Sequence, residues 1–259
     1  MFDTHAHVHD PAFDADRDAM LARARAAGVT RILTVGTDVA NSAAAQAAAA
    51  RYGLDYAVGI HPHEAGDAPD DIAATFDALI AAGTSAPRAI GEMGLDYYYD
   101  HSPRDAQRRV LAAQMRYAHE RGYAAIFHLR DAFDDFATDF AAHERDGAGA
   151  PLRGVVHCFT GDAEQAKRLT GEFGLFLGIG GVATFKSAQG VRDAVVAVGL
   201  QHIILETDCP YLAPVPHRGS RNEPAFLAAT AALLADLFAL PAPELIARTT
   251  ANAVSLFGA

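Results

Sequence analysis

Near the start of the chain two histidines, His5 and His7, stand two residues apart. On a strand this spacing turns both rings to one face, where a single metal ion can take both. An isolated pair of this kind is more often exposed or simply hydrogen-bonded. The argument therefore turns on five other polar residues that interrupt apolar runs: His61, Glu92, His128, His157 and Asp208. Each falls near the C-terminal end of its run. One buried histidine or glutamate is usually a satisfied core residue, but that explanation does not cover the same coincidence five times over.

The donor set predicts the metal chemistry. Imidazole and carboxylate without thiolate suit Zn, Mn or similar divalent ions, whereas an all-oxygen site would point to Mg or Ca. His5, His7, His128 and His157 with Glu92 and Asp208 are too many ligands for one tetrahedral ion that keeps an open position. They suit two ions, with Glu92 as the bridging carboxylate, since two-metal hydrolytic sites hold their ions ~3.5–4 Å apart. Such a pair activates water, and Asp208 can both ligate and accept the water's proton. Glu92 and Asp208 are therefore the expected catalytic carboxylates.

Around these ligands the sequence sets a possible rim. His61 and His63 follow the third apolar run and are expected to position a substrate oxygen. Arg130 follows His128 by two residues, and the loop CPYLAPVPHRGSRNEP carries His217, Arg218 and Arg221. A guanidinium there could hold a phosphate bidentately. Lys186 belongs to the same rim, and Tyr97, Tyr98 and Tyr99 could stack bases or pack their own loop. Glu206 shares the face of Asp208 and either orients a ligating histidine or is a hydrogen-bonded interior carboxylate. Cys158 and Cys209 each adjoin an expected ligand, so strand alternation should turn both away from the site as packing residues.

The elements that must position these groups are legible as alternation. Eight short apolar runs begin at Phe2, Arg31, Leu54, Arg88, Ala124, Gly154, Leu175 and His202, with alanine-rich, helix-patterned stretches between them. Ser102 before Pro103 predicts a capped helix start, and Gly122 its end. Segments 14–28, 69–83 and 162–174 also end in glycine, the residue that takes a left-handed cap at least cost. Two helical stretches follow the last run, the second of them an extra C-terminal helix. No linker divides residues 1–259, so one domain is expected. Eight βα units in this length fit an α/β fold of the TIM (β/α)8 barrel type, which needs about 250 residues, with an open doubly wound sheet as competitor.

Composition narrows the partners. A formal charge of −11 argues against a protein that holds nucleic acid on a broad basic surface. It leaves room for a phosphate substrate if bound metals supply positive charge locally. Two distant cysteines, a polar N-terminus and the lack of any apolar run near the ~18 residues of a membrane helix point to a cytoplasmic chain without membrane contact. No feature implies an obligate protein partner.

The motifs DTHAH at Asp3, GIHPH at Gly59, GEMGLDYYYD at Gly91, IFHLRDA at Ile126, VVHCFTGD at Val155, GGVATFKSA at Gly180 and ETDCPYLAPVPHRGSRNEP at Glu206 run nearly end to end. Together they resemble the TatD family of metal-dependent hydrolases. The resemblance implies a divalent-metal hydrolase of the deoxyribonuclease kind, with ligands at His5, His7, Glu92, His128, His157 and Asp208. Ser220 stands where the family commonly has lysine, which bears on phosphate affinity more than on the metal site. The expected activity is phosphodiester hydrolysis of DNA, from a strand end or on single strands. The alternatives are hydrolysis of an amide, lactone or aminoacyl ester on the same scaffold, or a metal-dependent binding scaffold without catalysis.

Overall fold

The computed structural model describes residues 1–147 and 149–259. Its eight strands, β1 (Phe2–Ala6), β2 (Arg31–Val35), β3 (Asp55–Val58), β4 (Ala89–Asp96), β5 (Ala124–Arg130), β6 (Gly154–Val156), β7 (Phe176–Ile179) and β8 (Ile203–Leu205), follow one another in chain order in one sheet. A doubly wound sheet would reverse its strand order part-way. The observed order is that of the (β/α)8 class.

The chain divides into two compact units, residues 1–34 with 157–259 and residues 35–156. The first contains β1, the first four residues of β2, β7 and β8, with α1 (Arg17–Ala26), α6 (Ala163–Lys167), α7 (Gln189–Val198), α8 (Leu227–Leu237) and α9 (Ala242–Phe257). Strands β1 and β2 are parallel, as are β7 and β8. The two ends of the chain meet here: Thr4 Oγ1 donates to Leu205 O at 2.9 Å, and Phe2 packs edge-on against Phe257 with ring centres 6.0 Å apart. Both α8 and the extra helix α9 match the two helical stretches expected after the last strand.

The second unit contains β3 to β6, all parallel, and α2 (Val39–Tyr52), α3 (Ile72–Ala82), α4 (Arg104–Arg121) and α5 (Phe133–Asp146). Phe127 on β5 packs against Phe136 and Phe140 on α5, all three fully buried. Helix α4 does more than cover the sheet. Its buried Gln114 accepts the Ile60 N–H and donates to Ile60 O, both at 2.9 Å, and Gln107 accepts the Asp96 N–H at 2.8 Å. Buried backbone groups at strand ends need such partners, and two glutamine amides supply them from one helix face.

The ends of several elements differ from the sequence expectation. Gly122 and Gly174 take left-handed φ of 72° and 66°, but Gly83 has φ −90° and closes α3 in extended geometry. Ser102 does not cap α4, whose N-cap is Pro103. Its hydroxyl instead donates to His63 O at 2.6 Å and accepts the Gly66 N–H at 2.9 Å, tying down the loop after β3. Among the described residues no single helix is long and apolar enough to cross a membrane.

Candidate metal centres

In the first unit, ligand-type side chains gather on or just beyond strand ends. His5 lies on β1, but the strand stops at Ala6, so His7 sits just beyond it; His157 begins the unit's second segment, and Asp208 follows β8 by three residues. Alternation alone therefore does not aim His7, His157 or Asp208. Loop hydrogen bonds do: His7 N–H donates to Cys209 O at 2.8 Å and Asp208 N–H to His5 O at 2.9 Å. Asp208 is held with φ 58°, a conformation costly for a residue with a Cβ, which packed surroundings must impose. Buried Asn222 helps fix this loop by donating to Thr207 O and Tyr211 O at 2.8 and 2.6 Å.

The result is a tight, buried cluster. Asp208 Oδ1 lies 3.5 Å from His7 Nε2 and 3.8 Å from His5 Nε2, and the His5 and His157 rings stack with centres 3.9 Å apart. Burial pushes the Asp208 carboxyl up, but the bond to His7 and the nearby His157 and His5 outweigh it and hold it below the ordinary value. Glu206 Oε1 stands 3.6 Å from His157 Nδ1 and accepts the Cys158 N–H, the geometry of a group that orients that ring. Gly178 makes this possible, because a Cβ there would come within 2.1 Å of Glu206 Oε2. Cys158 lies past the end of β6 with φ 45°, so strand alternation does not govern it, whereas Cys209 is fully buried and its thiol is pushed well up by that burial.

In the second unit, β4 carries Glu92 and Asp96 four residues apart and β5 carries His128. His128 Nδ1 is 2.9 Å from Glu92 Oε1 and its Nε2 is 3.1 Å from Asp96 Oδ2. The two strands approach closely because of Gly94, where a Cβ would meet His128 O at 1.8 Å. His61 Nε2 lies 3.4 Å from Glu92 Oε1, which places His61 beside the ligand-type cluster. Its ring is pushed down to about 4 by burial, against the pull of Glu92, which leaves it neutral at pH 7. His63 Nε2 is 2.8 Å from Asp96 Oδ2.

Asp96 is a carboxylate of this cluster that the sequence expectations omit. It is fully buried, its Oδ1 accepts the N–H groups of Tyr98 and Tyr99, and the hydrogen bonds from His128, Tyr99 and His63 overcome desolvation to keep its carboxyl well below the usual range. The signal was present in GLDYYYD, since Asp96 shares the strand face of Glu92.

Both clusters fit a divalent ion by their donor chemistry. Ligand atoms bound at ~2.1 Å stand about 3.0–3.4 Å apart when adjacent and about 4.2 Å when opposite. His5, His157 and Asp208 offer atoms within 4.8 Å of one another, as do His61, Glu92 and His128. Their spacings need only small side-chain adjustments to close on an ion.

The expected rim residues divide. Arg130 lies over Tyr98 and Tyr99, 4.0 and 4.7 Å from the ring centres, and those rings are 59% and 51% exposed. Tyr97 instead gives its hydroxyl to Asp135 at 2.7 Å. Arg218 lies 3.7 Å over the ring of Phe185, and His217 stacks on Phe226. Arg221 forks onto both oxygens of Asp16 at 2.8 Å.

Comparison with known proteins covers the whole chain. A family model described as TatD related DNase matches residues 2–258. An uncharacterized metal-dependent hydrolase of Bacillus subtilis, YabD, is 38% identical over 258 residues, 99% of this chain and 98% of that one. A protein of Cronobacter sakazakii named 3'-5' ssDNA/RNA exonuclease TatD is 38% identical over 264 residues, 99% of this chain and 97% of that one. The crystal structure of YjjV, a TatD homolog from Escherichia coli K12, superposes with a TM-score of 0.90 at 30% identity, covering 100% of this chain and 98% of that one. The fold is accordingly a TIM (β/α)8 barrel.

Proposed function

The chain belongs to the TatD family of metal-dependent hydrolases, and from that premise we propose that it hydrolyses phosphodiester bonds at the end of single-stranded nucleic acid. The observation that carries this reading is the pairing of a buried imidazole–carboxylate cluster with a half-buried cation and exposed aromatic rings. In the second unit the rings run from His128 through His61 and His63 to Tyr99, with Arg130 over Tyr98 and Tyr99. Phosphate beside metal ligands, with bases on aromatic faces, is what a single strand offers. The printed name of the Cronobacter relative supports attack from the 3' end.

In this proposal one divalent ion, Zn, Mn or Mg, would be held by His5, His7, His157 and Asp208 and a second by Glu92 and His128, with His61 beside them. Such ions polarise the phosphodiester and make water a usable nucleophile near neutral pH. Asp208, kept ionised, accepts the proton of the attacking water. Arg130 and Arg218 neutralise substrate phosphates, and His63, expected to position a substrate oxygen, also holds Asp96.

The test is digestion of 3'- and 5'-blocked oligonucleotides with Mn, Mg or Zn, alongside metal analysis. Shortening of the 5'-blocked strand and protection of the 3'-blocked one is the expected result. Glu92→Ala should lose the ion of the second cluster and at least about 10²-fold of activity. A wild-type protein inert on every phosphodiester overturns the reading.

A further inference from the structure

A third group of ligand-type side chains lies away from both clusters, on the helices of the second unit. His119 stands in the last turn of α4, and His143 and Glu144 in the last turn of α5. His119 Nδ1 and His143 Nε2 are 3.0 Å apart, with their rings tilted 59° to each other. Ligand atoms of His119, His143 and Glu144 all lie within 4.8 Å of one another. We propose that these three residues form an additional divalent-cation site, of the zinc type, that cross-links α4 to α5.

Four observations converge on it. The 3.0 Å separation of the two nitrogens is within about 0.4 Å of the ~3.4 Å spacing of tetrahedral ligands bound at ~2.1 Å, a difference that a small ring rotation supplies. Two imidazoles and a carboxylate are a donor set that Zn accepts with a fourth position left to water. Both histidines occupy helix C-termini, where the macrodipole favours positive charge: Gly122 N–H donates to His119 O, and Gly147 N–H to His143 O. A cavity of about 660 Å³ runs alongside, lined by His119, His143, Arg108 and Asp139 among others, and gives an ion and its waters access.

The surroundings also hold the ligands in place. Glu144 Oε1 accepts the Leu152 N–H at 3.0 Å, which anchors the carboxylate on α5. Gly147 leaves the room the His119 ring occupies, because a Cβ there would lie 2.8 Å from its Cε1. A hydrogen bond between two histidines would tie the helices as well, but it does not call for a carboxylate converging on the same point.

The site is tested on the full chain, with Zn and Cu(II) as probes. Wild type should hold one more ion per chain than His143→Ala, and its thermal midpoint should rise by several degrees with added Zn while that of the variant does not. Cu(II) bound there should give an electron paramagnetic resonance spectrum split by two nitrogens, lost in both His119→Ala and His143→Ala. The Kd for the extra ion should weaken by at least about tenfold in Glu144→Gln, a substitution that keeps the size of the side chain. Circular dichroism identical to wild type excludes misfolding of the variants. Asp208→Asn, which alters the first cluster, should leave the extra ion in place. Equal metal content and equal Zn response in wild type and His143→Ala overturn the proposal.

Discussion

At the residue scale, Asp96 separates a histidine that is merely near a metal site from one that is aimed. Its Oδ2 lies within hydrogen-bond distance of both His63 Nε2 and His128 Nε2, so one buried carboxylate fixes two rings. An ionised acceptor on one ring nitrogen fixes the tautomer and makes the opposite nitrogen a better donor to a cation. Asp96→Asn replaces an acceptor-only oxygen with an NH2 that cannot accept from either ring. The variant should fold, because the amide keeps the shape and can still accept from Tyr98 and Tyr99. Its second cluster should bind metal about 10–100-fold more weakly, measured by competition with a chelator of known affinity. Metal affinity equal to wild type would mean that Asp96 serves only the loop it caps.

At the element scale, helix α4 is what holds that carboxylate. Gln107 accepts the buried Asp96 N–H and donates to Ser102 O, so Gln107→Ala strands two buried groups and should cost about 2–3 kcal/mol in urea unfolding. A second tie joins α1 to the loop after β8: Arg221 and Arg23 both bond Asp16, whose carboxyl they hold well below its ordinary value. A depressed carboxyl stabilises above its unfolded pKa of about 3.9 and loses that contribution as pH falls toward its folded value. The Tm gap between wild type and Asp16→Asn should therefore stay constant from pH 7 to about 5 and narrow below about 4. These ties also explain what was legible in the sequence. Alternation and glycine placement marked all eight strands, and the polar residues near their ends picked out His5, Glu92 and His128 on strands. The same rule pointed to Asp208 and His157 although both lie past their strands; a loop hydrogen bond to His5 O holds Asp208, and Glu206 stands 3.6 Å from the His157 ring. The pairing of Arg221 with Asp16 was not legible, because the two lie 205 residues apart in sequence, a separation that no local pattern encodes. Asp96 and the two glutamines of α4 were passed over for a related reason: their importance lies in what they bond across elements.

At the scale of the whole molecule, the charge of −11 and a phosphate-bearing substrate set opposite demands. An acidic surface repels a polyanion, so strand binding has to rest on a few contacts close to the reacting phosphate. Arg130 and Arg218 are the arginines proposed for them, and each guanidinium already lies on an aromatic face. Stacked in this way, they lose less freedom on gripping a phosphate than free side chains would. For single strands, log K falls with log[salt] at a slope near −0.7 per neutralised phosphate. Two contacts therefore predict a slope of about −1.4, far shallower than that of a protein coating nucleic acid. Arg218→Ala should weaken oligonucleotide binding uniformly across sequences and bring the slope to about −0.7. The measurement is fluorescence anisotropy of a labelled single strand with the catalytically impaired Glu92→Gln background, across a salt series at fixed divalent ion. A slope steeper than about −3 would mean that strand binding extends well beyond these two arginines, and an unchanged slope in Arg218→Ala would remove that residue from the phosphate contacts.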